Sequence, residues 1–244
     1  MLSIFGFALL YPGLNPAQAI NSPSCNTVPQ SPNPPDAKRV ALIDELATDH
    51  PDPGFVQGVN TTARASGYGF DYYPPDTANL DLFRSLPSRG YSVIIFRNHG
   101  PAVGVSDEPA IATSQPYDDY SWVWDQLNDR LAVMQVGGHL YFAITPKFVS
   151  DLMCGQFSGT IVMAMFCNSA NFFVPILKSF VDKGASGFVG WNSLVSVPYD
   201  DLAFSRLIPL VLQGETVSHA TQIVNVQLGP DPVYGGTLNA YPDQ

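Results

Sequence analysis

Short apolar runs alternate with amphipathic segments between residues 38 and 224. The runs at 91–100 (YSVIIFRNHG) and 159–168 (GTIVMAMFCN) are apolar without a polar face, which is typical of parallel strands covered on both sides. Further strands are predicted at 40–46, 68–75 and 185–196. Helices are predicted at 55–67, 80–87, 145–153, 172–184 and 200–224, the last as one or two helices.

This alternation of strands and helices predicts the fold class. We expect an α/β protein whose mostly parallel sheet is joined by right-handed crossovers and covered by helices on both faces, which makes a three-layer αβα sandwich. In open sheets of this kind, binding sites form at the carboxyl ends of the strands. Polar residues that directly follow buried strands are therefore the first candidates for chemistry.

The first part of the chain is predicted to lie outside the folded domain. Residues 1–19 contain a short apolar run and an A-x-A pattern at 17–19 that is typical of a signal-peptidase site, although no positive charge precedes the run. A frayed apolar N-terminus is the alternative. Residues 20–37 are rich in Pro, Ser and Asn and predict an extended linker. We expect a single domain over 38–244, in a secreted or periplasmic protein.

Composition and charge argue against some classes of function. Charged residues make up 13% of the chain, against a usual value of about 25%, and the formal net charge is −10. There is no run of Lys or Arg that could neutralise a phosphate backbone, so we expect no nucleic-acid partner. No stretch after the N-terminal run has the length of a transmembrane helix. The acidity favours either solubility or a cationic ligand.

The chain has three cysteines, at positions 25, 154 and 167. A bridge between Cys25 and Cys154 would leave Cys167 as a free thiol in an exported protein. Cys25 could instead carry a lipoprotein anchor, although the residues before it make a poor lipobox. The sequence contains no Cys-x-x-Cys motif and no His/Cys cluster, so we expect no metal ion and no cofactor.

Two reactive side chains directly follow the two most apolar strands. His99 follows VIIFRN and precedes Gly100, and Cys167 follows IVMAMF. A neighbouring imidazole can hold a thiol as its thiolate or take its proton during attack. The backbone N–H groups of Gly100 and Cys167 could both point at a carbonyl oxygen as it becomes an oxyanion. The structural alternative is a small core cysteine and a hydrogen-bonded loop histidine.

A hydrophobic strand that ends in His-Gly, followed by a later hydrophobic strand that ends in Cys, resembles the caspase-like cysteine peptidases. This family includes caspases, metacaspases, legumains, gingipains and separases, and the similarity to a small prokaryotic member extends over 38–224. The resemblance implies a caspase-like fold and a polypeptide substrate. It also implies that His99 is the general base, that Cys167 is the nucleophile, and that Gly100 and Cys167 are the oxyanion donors.

Two features depart from the family's pattern. Phe166 stands where a small residue often precedes the family's cysteine, and Asn168-Ser169 follow it where caspases have Arg-Gly. The function that we expect is a cysteine endopeptidase that works through an acyl-enzyme thioester. The alternative, from another class, is a catalytically inactive module of the same fold that binds peptides or partner proteins.

The resemblance implies that the strand at 185–196 borders the substrate channel, so we expect substrate-binding residues there. We also expect them in the long stretch 101–122 after His-Gly. The candidates are Trp191, Asn192, Asp119 with its neighbour Asp118, and Asp200 with its neighbour Asp201. A carboxylate there would pair with Arg or Lys of a substrate.

Several of these residues also have a structural alternative. Asp200 and Asp201 could cap a helix over 200–212, and a tryptophan after a strand could belong to the core. His139 is expected to be structural, beside a turn formed by two glycines. The sequence assigns no role to His50 or His219.

Overall fold

The structure is a computed structural model, and it describes Cys25 and residues 38–100, 110–171 and 175–241. The predicted signal peptide at 1–19 lies outside the described residues, as does the linker at 20–37 apart from Cys25.

Nine strands and seven α-helices are found within these described ranges. The strands are β1 (Arg39–Asp44), β2 (Gly69–Tyr73), β3 (Val93–Arg97), β4 (Ile111–Pro116), β5 (Leu131–Val136), β6 (His139–Ile144), β7 (Ile161–Met165), β8 (Gly187–Trp191) and β9 (Leu238–Tyr241). The α-helices are α1 (Pro53–Ala65), α2 (Leu80–Ser85), α3 (Val123–Leu127), α4 (Pro146–Asp151), α5 (Ile176–Asp182), α6 (Val197–Leu212) and α7 (Val217–Leu228).

The main sheet has six strands in the order β2-β1-β3-β7-β8-β9. All of its pairs are parallel except β8 with β9, which is antiparallel. Because successive parallel strands need a crossover, the intervening helices are placed against the faces of the sheet. This confirms the predicted α/β fold with a mostly parallel sheet, and the arrangement is compatible with a three-layer sandwich.

The two faces of the sheet carry separate hydrophobic cores. Ile94 and Phe96 of β3 face one core, which α2, α4 and α5 cover. Val93 and Ile95 face the other, which α1, α6 and α7 cover. All four side chains are buried, so the uninterrupted apolar run of β3 contributes side chains to both cores. The same alternation holds in β7, which lies beside β3.

Helix α1 shows how local sequence sets the ends of an element. The side chain of Asp52 accepts a hydrogen bond from the N–H of Phe55, and Pro53 occupies the first turn. At the other end Gly67 has a φ of +79°, and the N–H of Tyr68 donates to the carbonyl of Ala63. This left-handed glycine is the predicted helix end.

A second, antiparallel sheet was not expected from the sequence. Its order is β4-β6-β5, and the β5–β6 hairpin turns at two glycines with positive φ, as the Gly-Gly turn beside His139 predicts. The sequence predicts no strand within the long stretch 101–122, but Ile111–Pro116 form β4. Its pairing with β6 is irregular between Ala112 and Pro116, so it lacks the regular alternation that predicts a strand.

No helix among the described residues combines the length and the hydrophobicity that a membrane crossing needs.

A disulfide joins Cys25 to Cys154, with the two Cα atoms 5.4 Å apart, and Cys167 is a free cysteine. The bridge ties Cys25 to the segment that follows α4, across 129 positions of sequence. A cross-link over a loop of this length limits the freedom of the unfolded chain more than that of the folded one.

We expect Cys25→Ser to lower the free energy of unfolding by about 2–5 kcal/mol, because the unfolded chain regains the entropy that the bridge removes. Urea unfolding followed by circular dichroism would measure the change. Wild-type protein unfolded in dithiothreitol is the control, and it should match the variant. Equal stability of the oxidised wild type and the variant would contradict this prediction.

Candidate active site

The strand ends that carry the two candidate catalytic residues lie side by side. In the parallel pair of β3 and β7, Arg97 is opposite Met165, so His99 and Cys167 each follow the last paired residue by the same two positions. Cys167 packs against the core on the face of Ile95. The sheet therefore brings the ends of the two strands to one edge.

Gly100 shows that these two strand ends touch. A Cβ added at Gly100 would lie 2.7 Å from the carbonyl oxygen of Cys167 and 2.6 Å from Cδ2 of Phe166. No larger residue fits there without a shift of the backbone at the cysteine. The glycine that the sequence singled out is thus required by close packing.

His99 is held by carboxylates. Its Nδ1 lies 3.1 Å from Oε2 of Glu45, and its backbone N–H donates to the same oxygen at 2.8 Å. Its Nε2 lies 3.5 Å from Oδ1 of Asp49. Burial of the imidazole would lower its pKa, but the hydrogen bond and charge of Glu45 and the charge of Asp49 outweigh burial and raise the pKa of His99. The charged imidazolium is therefore favoured.

The thiol of Cys167 has different surroundings. Its Sγ lies 3.7 Å from the carbonyl oxygen of Val195, and no hydrogen bond joins it to the imidazole of His99, although the structure describes both residues. Burial raises the pKa of the Cys167 thiol, and the negative charges of Asp200 and Asp231 raise it further. The resting thiol is neutral, which favours proton transfer during attack over a preformed thiolate.

The turn after Cys167 has an uncommon backbone. Asn168 adopts a φ of +57°, and its N–H donates to the carbonyl of Ser193. Positive φ in a residue other than glycine is found at sites where the surrounding structure imposes it. Among the described residues, no backbone carbonyl accepts the N–H of Gly100 or of Cys167. Their assignment as oxyanion donors stays a prediction.

A buried ion-pair network lies beside His99. Arg97 donates to both carboxylate oxygens of Asp201, at 2.7 and 2.8 Å, and to Oδ1 of Asp44 at 2.8 Å. It also donates to the backbone carbonyl of His50 at 3.0 Å. Arg97 and Asp44 are at most 1% exposed. These contacts join β1, β3, the loop before α1 and helix α6.

A cleft of about 680 Å³ opens next to this network, between α1 and α6. Its polar lining includes His50, Asp52, Arg97 and Asp201, but neither candidate catalytic residue. It adjoins the site through His50, whose ring centroid is 6.3 Å from that of His99. The candidate thiol lies at the strand ends and does not line this cleft, which is a neighbouring surface.

Two predicted substrate-binding residues lie in the core. Trp191 is 1% exposed and Asp200 is 2% exposed. The indole N–H of Trp191 donates to Oδ1 of Asp200 at 2.7 Å, and burial raises the pKa of Asp200 well above its usual range. The capping alternative for Asp200 and Asp201 is wrong, because α6 begins at Val197. Trp191 thus takes the core position of its structural alternative, and a substrate-binding role for Asp200 stays a prediction.

The other predicted residues have partners of their own. Three hydrogen bonds join Asn192 to Thr237, two of them through the Asn192 side chain, and they anchor the chain before β9. Asp119 is exposed and accepts a hydrogen bond from the hydroxyl of Tyr117, and Asp118 accepts from backbone N–H groups of the following turn. A substrate-binding role for Asn192 and Asp119 stays a prediction.

Sequence reasoning missed Glu45 and Arg97. Glu45 directly follows the last residue of β1, Asp44, and is 1% exposed. The rule that singled out His99 and Cys167, a polar residue at the end of a buried strand, applies to Glu45 equally. Arg97 is the charged residue at the end of β3, directly after its apolar run, and a buried charge there is retained only if it is paired.

Comparison with known proteins gives no family for this chain. No protein-family model matches it, and no curated protein matches it.

We expect Arg97→Met to lower the free energy of unfolding by about 3–5 kcal/mol, because it leaves Asp44 as an uncompensated buried carboxylate. Chemical unfolding would measure the loss. The matched control is Arg206→Met on the exposed face of α6, with a change within about 0.5 kcal/mol. A loss no larger than that of the control would show that the network contributes little.

We expect the alkylation rate of Cys167 by iodoacetamide to rise with pH around a midpoint above the usual thiol pKa of about 8.5. Burial and two neighbouring carboxylates disfavour the thiolate, so the neutral form persists to higher pH. Mass spectrometry would measure the rate, and Cys167→Ser is the blank because the other two cysteines are bridged. A midpoint near neutral pH would instead indicate a thiolate held by the imidazole.

Proposed function

We propose that the protein is a cysteine endopeptidase of the caspase-like type, with Cys167 as nucleophile and His99 as general base. The observation that carries the proposal is the contact between the two strand ends, where the Gly100 backbone packs against the carbonyl of Cys167. Together with the β3–β7 register, it supports a shared site for thiol and imidazole.

The chemistry follows from these groups. Above its raised pKa the imidazole of His99 is neutral, and in this form it takes the thiol proton while Sγ of Cys167 forms a bond to the carbonyl carbon of the scissile peptide. The tetrahedral intermediate collapses as His99 returns the proton to the leaving amine, which leaves a thioester. Water, deprotonated by the same imidazole, then releases the carboxylic acid and the free thiol. The resting structure has no hydrogen bond between Cys167 and His99, both of which it describes. This is compatible with the proposed steps, because such contacts often tighten only when substrate binds.

Glu45 is a positioning residue in this scheme. It accepts from the backbone N–H of His99 and lies within hydrogen-bond distance of Nδ1. A carboxylate in that place fixes the imidazole's orientation and favours the imidazolium that forms during attack. The thiol, imidazole and carboxylate come from the ends of three strands that are neighbours in the sheet, β7, β3 and β1.

We propose that the peptidase acts in a secreted or periplasmic setting on polypeptide substrates. The Cys25–Cys154 bridge supports this location, because structural disulfides persist in oxidising compartments.

A second candidate function is a non-catalytic module that binds peptides. The observation that favours it is the neutral, half-buried thiol, whose only hydrogen-bond partner among the described residues is the carbonyl of Val195. Reactive cysteines more often lie in electropositive surroundings, whereas the charges near this thiol are negative.

We expect Cys167→Ala to abolish cleavage of a mixed peptide library, and His99→Ala to lower kcat/KM by about 10²–10⁴-fold, since the base that activates the thiol is lost. Mass spectrometry of the library would identify the products. His139→Ala, a change of an exposed histidine on β6, is the matched control and should cleave as the wild type does.

Two outcomes would overturn the peptidase proposal. Cleavage that persists in Cys167→Ala would point to another nucleophile or a contaminant. No cleavage by the wild type, together with retention of library peptides on the immobilised protein, would favour the binding module.

A further inference from the structure

Three metal-ligating side chains converge at the edge of the candidate site. Asp49, His50 and His99 each offer one ligand atom, and these atoms all lie within 4.8 Å of one another. Nε2 of His99 is 3.5 Å from Oδ1 of Asp49, and Nε2 of His50 is 3.9 Å from Oδ2 of Asp49. Ligands of a tetrahedral zinc ion are roughly 3.4 Å apart, so small side-chain rotations would complete the geometry.

The surroundings of His99 are those of a metal ligand. Metal-binding histidines usually present their second ring nitrogen to a carboxylate, and Nδ1 of His99 lies 3.1 Å from Oε2 of the buried Glu45. This contact leaves Nε2 facing Asp49. The loop that carries the other two ligands is held as well, since Arg97 donates to the carbonyl of His50.

We propose that Asp49, His50 and His99 bind a divalent transition-metal ion, with Zn²⁺ as the preferred one, in a three-ligand site. Two imidazoles and one carboxylate suit zinc and its neighbours, whereas Ca²⁺ and Mg²⁺ prefer oxygen ligands alone. The side chains are 29%, 52% and 26% exposed, so an ion has access from solvent. Three protein ligands leave a coordination position for water or a further group.

The site would also regulate catalysis, and this consequence rests on the proposed function. A nitrogen lone pair that coordinates zinc cannot accept the proton of Cys167. Zinc would therefore inhibit cleavage by occupying His99, and chelation would restore it.

The test is zinc binding by the purified full chain, measured by competition with a chromophoric chelator. We expect one zinc ion per wild-type chain. His50→Ala and Asp49→Asn should each weaken binding at least about 100-fold, since even the loss of an outer-shell partner typically costs 10–100-fold. His219→Ala removes a histidine that also contacts a carboxylate, Glu215, and should bind zinc as the wild type does.

Cobalt substitution provides a second readout. Co²⁺ bound to nitrogen and oxygen ligands should give visible absorption without a sulfur charge-transfer band, and Cys167→Ser should leave the spectrum unchanged. A strong sulfur band lost in Cys167→Ser would overturn the assignment, because the thiol would then be a ligand. Wild-type affinity for zinc in both His50→Ala and Asp49→Asn would also overturn it, as would binding of Ca²⁺ in preference to Zn²⁺.

These outcomes separate the metal site from the peptidase. If the wild type binds zinc but still cleaves nothing after the zinc is removed by a chelator, the metal site stands and the proposed function falls. If it cleaves peptides, the inhibition by zinc is expressed relative to each variant's own zinc-free activity. Inhibition that is equally strong in the wild type and in His50→Ala would then overturn the regulatory role.

Discussion

The paired charge of Arg97 is the constraint on which the carboxyl edge of the sheet depends. A guanidinium at the end of a buried strand is tolerated only with partners, and Arg97 has two carboxylates and a backbone carbonyl. Those partners belong to β1, to helix α6 and to the loop before α1. Because all of these groups pair with the charge of Arg97, the three segments are held around the point where β3 ends. His99 lies two residues further on, so its surroundings are set by the same network.

Charge is distributed unevenly across the candidate site. On one side Glu45 and Asp49 favour a charged imidazole at His99, and on the other side burial and the carboxylates near Cys167 favour a neutral thiol. Both groups therefore keep their protons to a higher pH than a free histidine and a free cysteine would. A peptidase with this arrangement would need substrate binding to bring the thiol and imidazole together, whereas a metal ion would use the imidazole alone. The same residue, His99, lies at the centre of both possibilities.

Much of the fold was predictable because the main sheet is covered on both faces. The continuous apolar runs of β3 and β7 identify buried strands, and Gly67 marks the end of α1 by its left-handed backbone. The antiparallel sheet was missed because β4 pairs irregularly and its outer half is partly exposed, so no clear periodicity remains. The helix-capping alternative for Asp200 was wrong because α6 begins before this residue. Its carboxylate instead accepts a hydrogen bond from the buried indole N–H of Trp191.

By itself, the sequence determined which strands are buried and that His99 and Cys167 follow two of them. Local patterns of apolar and polar residues are enough to predict buried strands and their ends. Only the tertiary structure decided that β3 and β7 are neighbours, that Glu45, Asp49 and His50 lie next to His99, and that acidic groups lie near the thiol. Those relations are distances between residues far apart in the chain. They depend on strand order and on the course of the loops, which local periodicity does not encode.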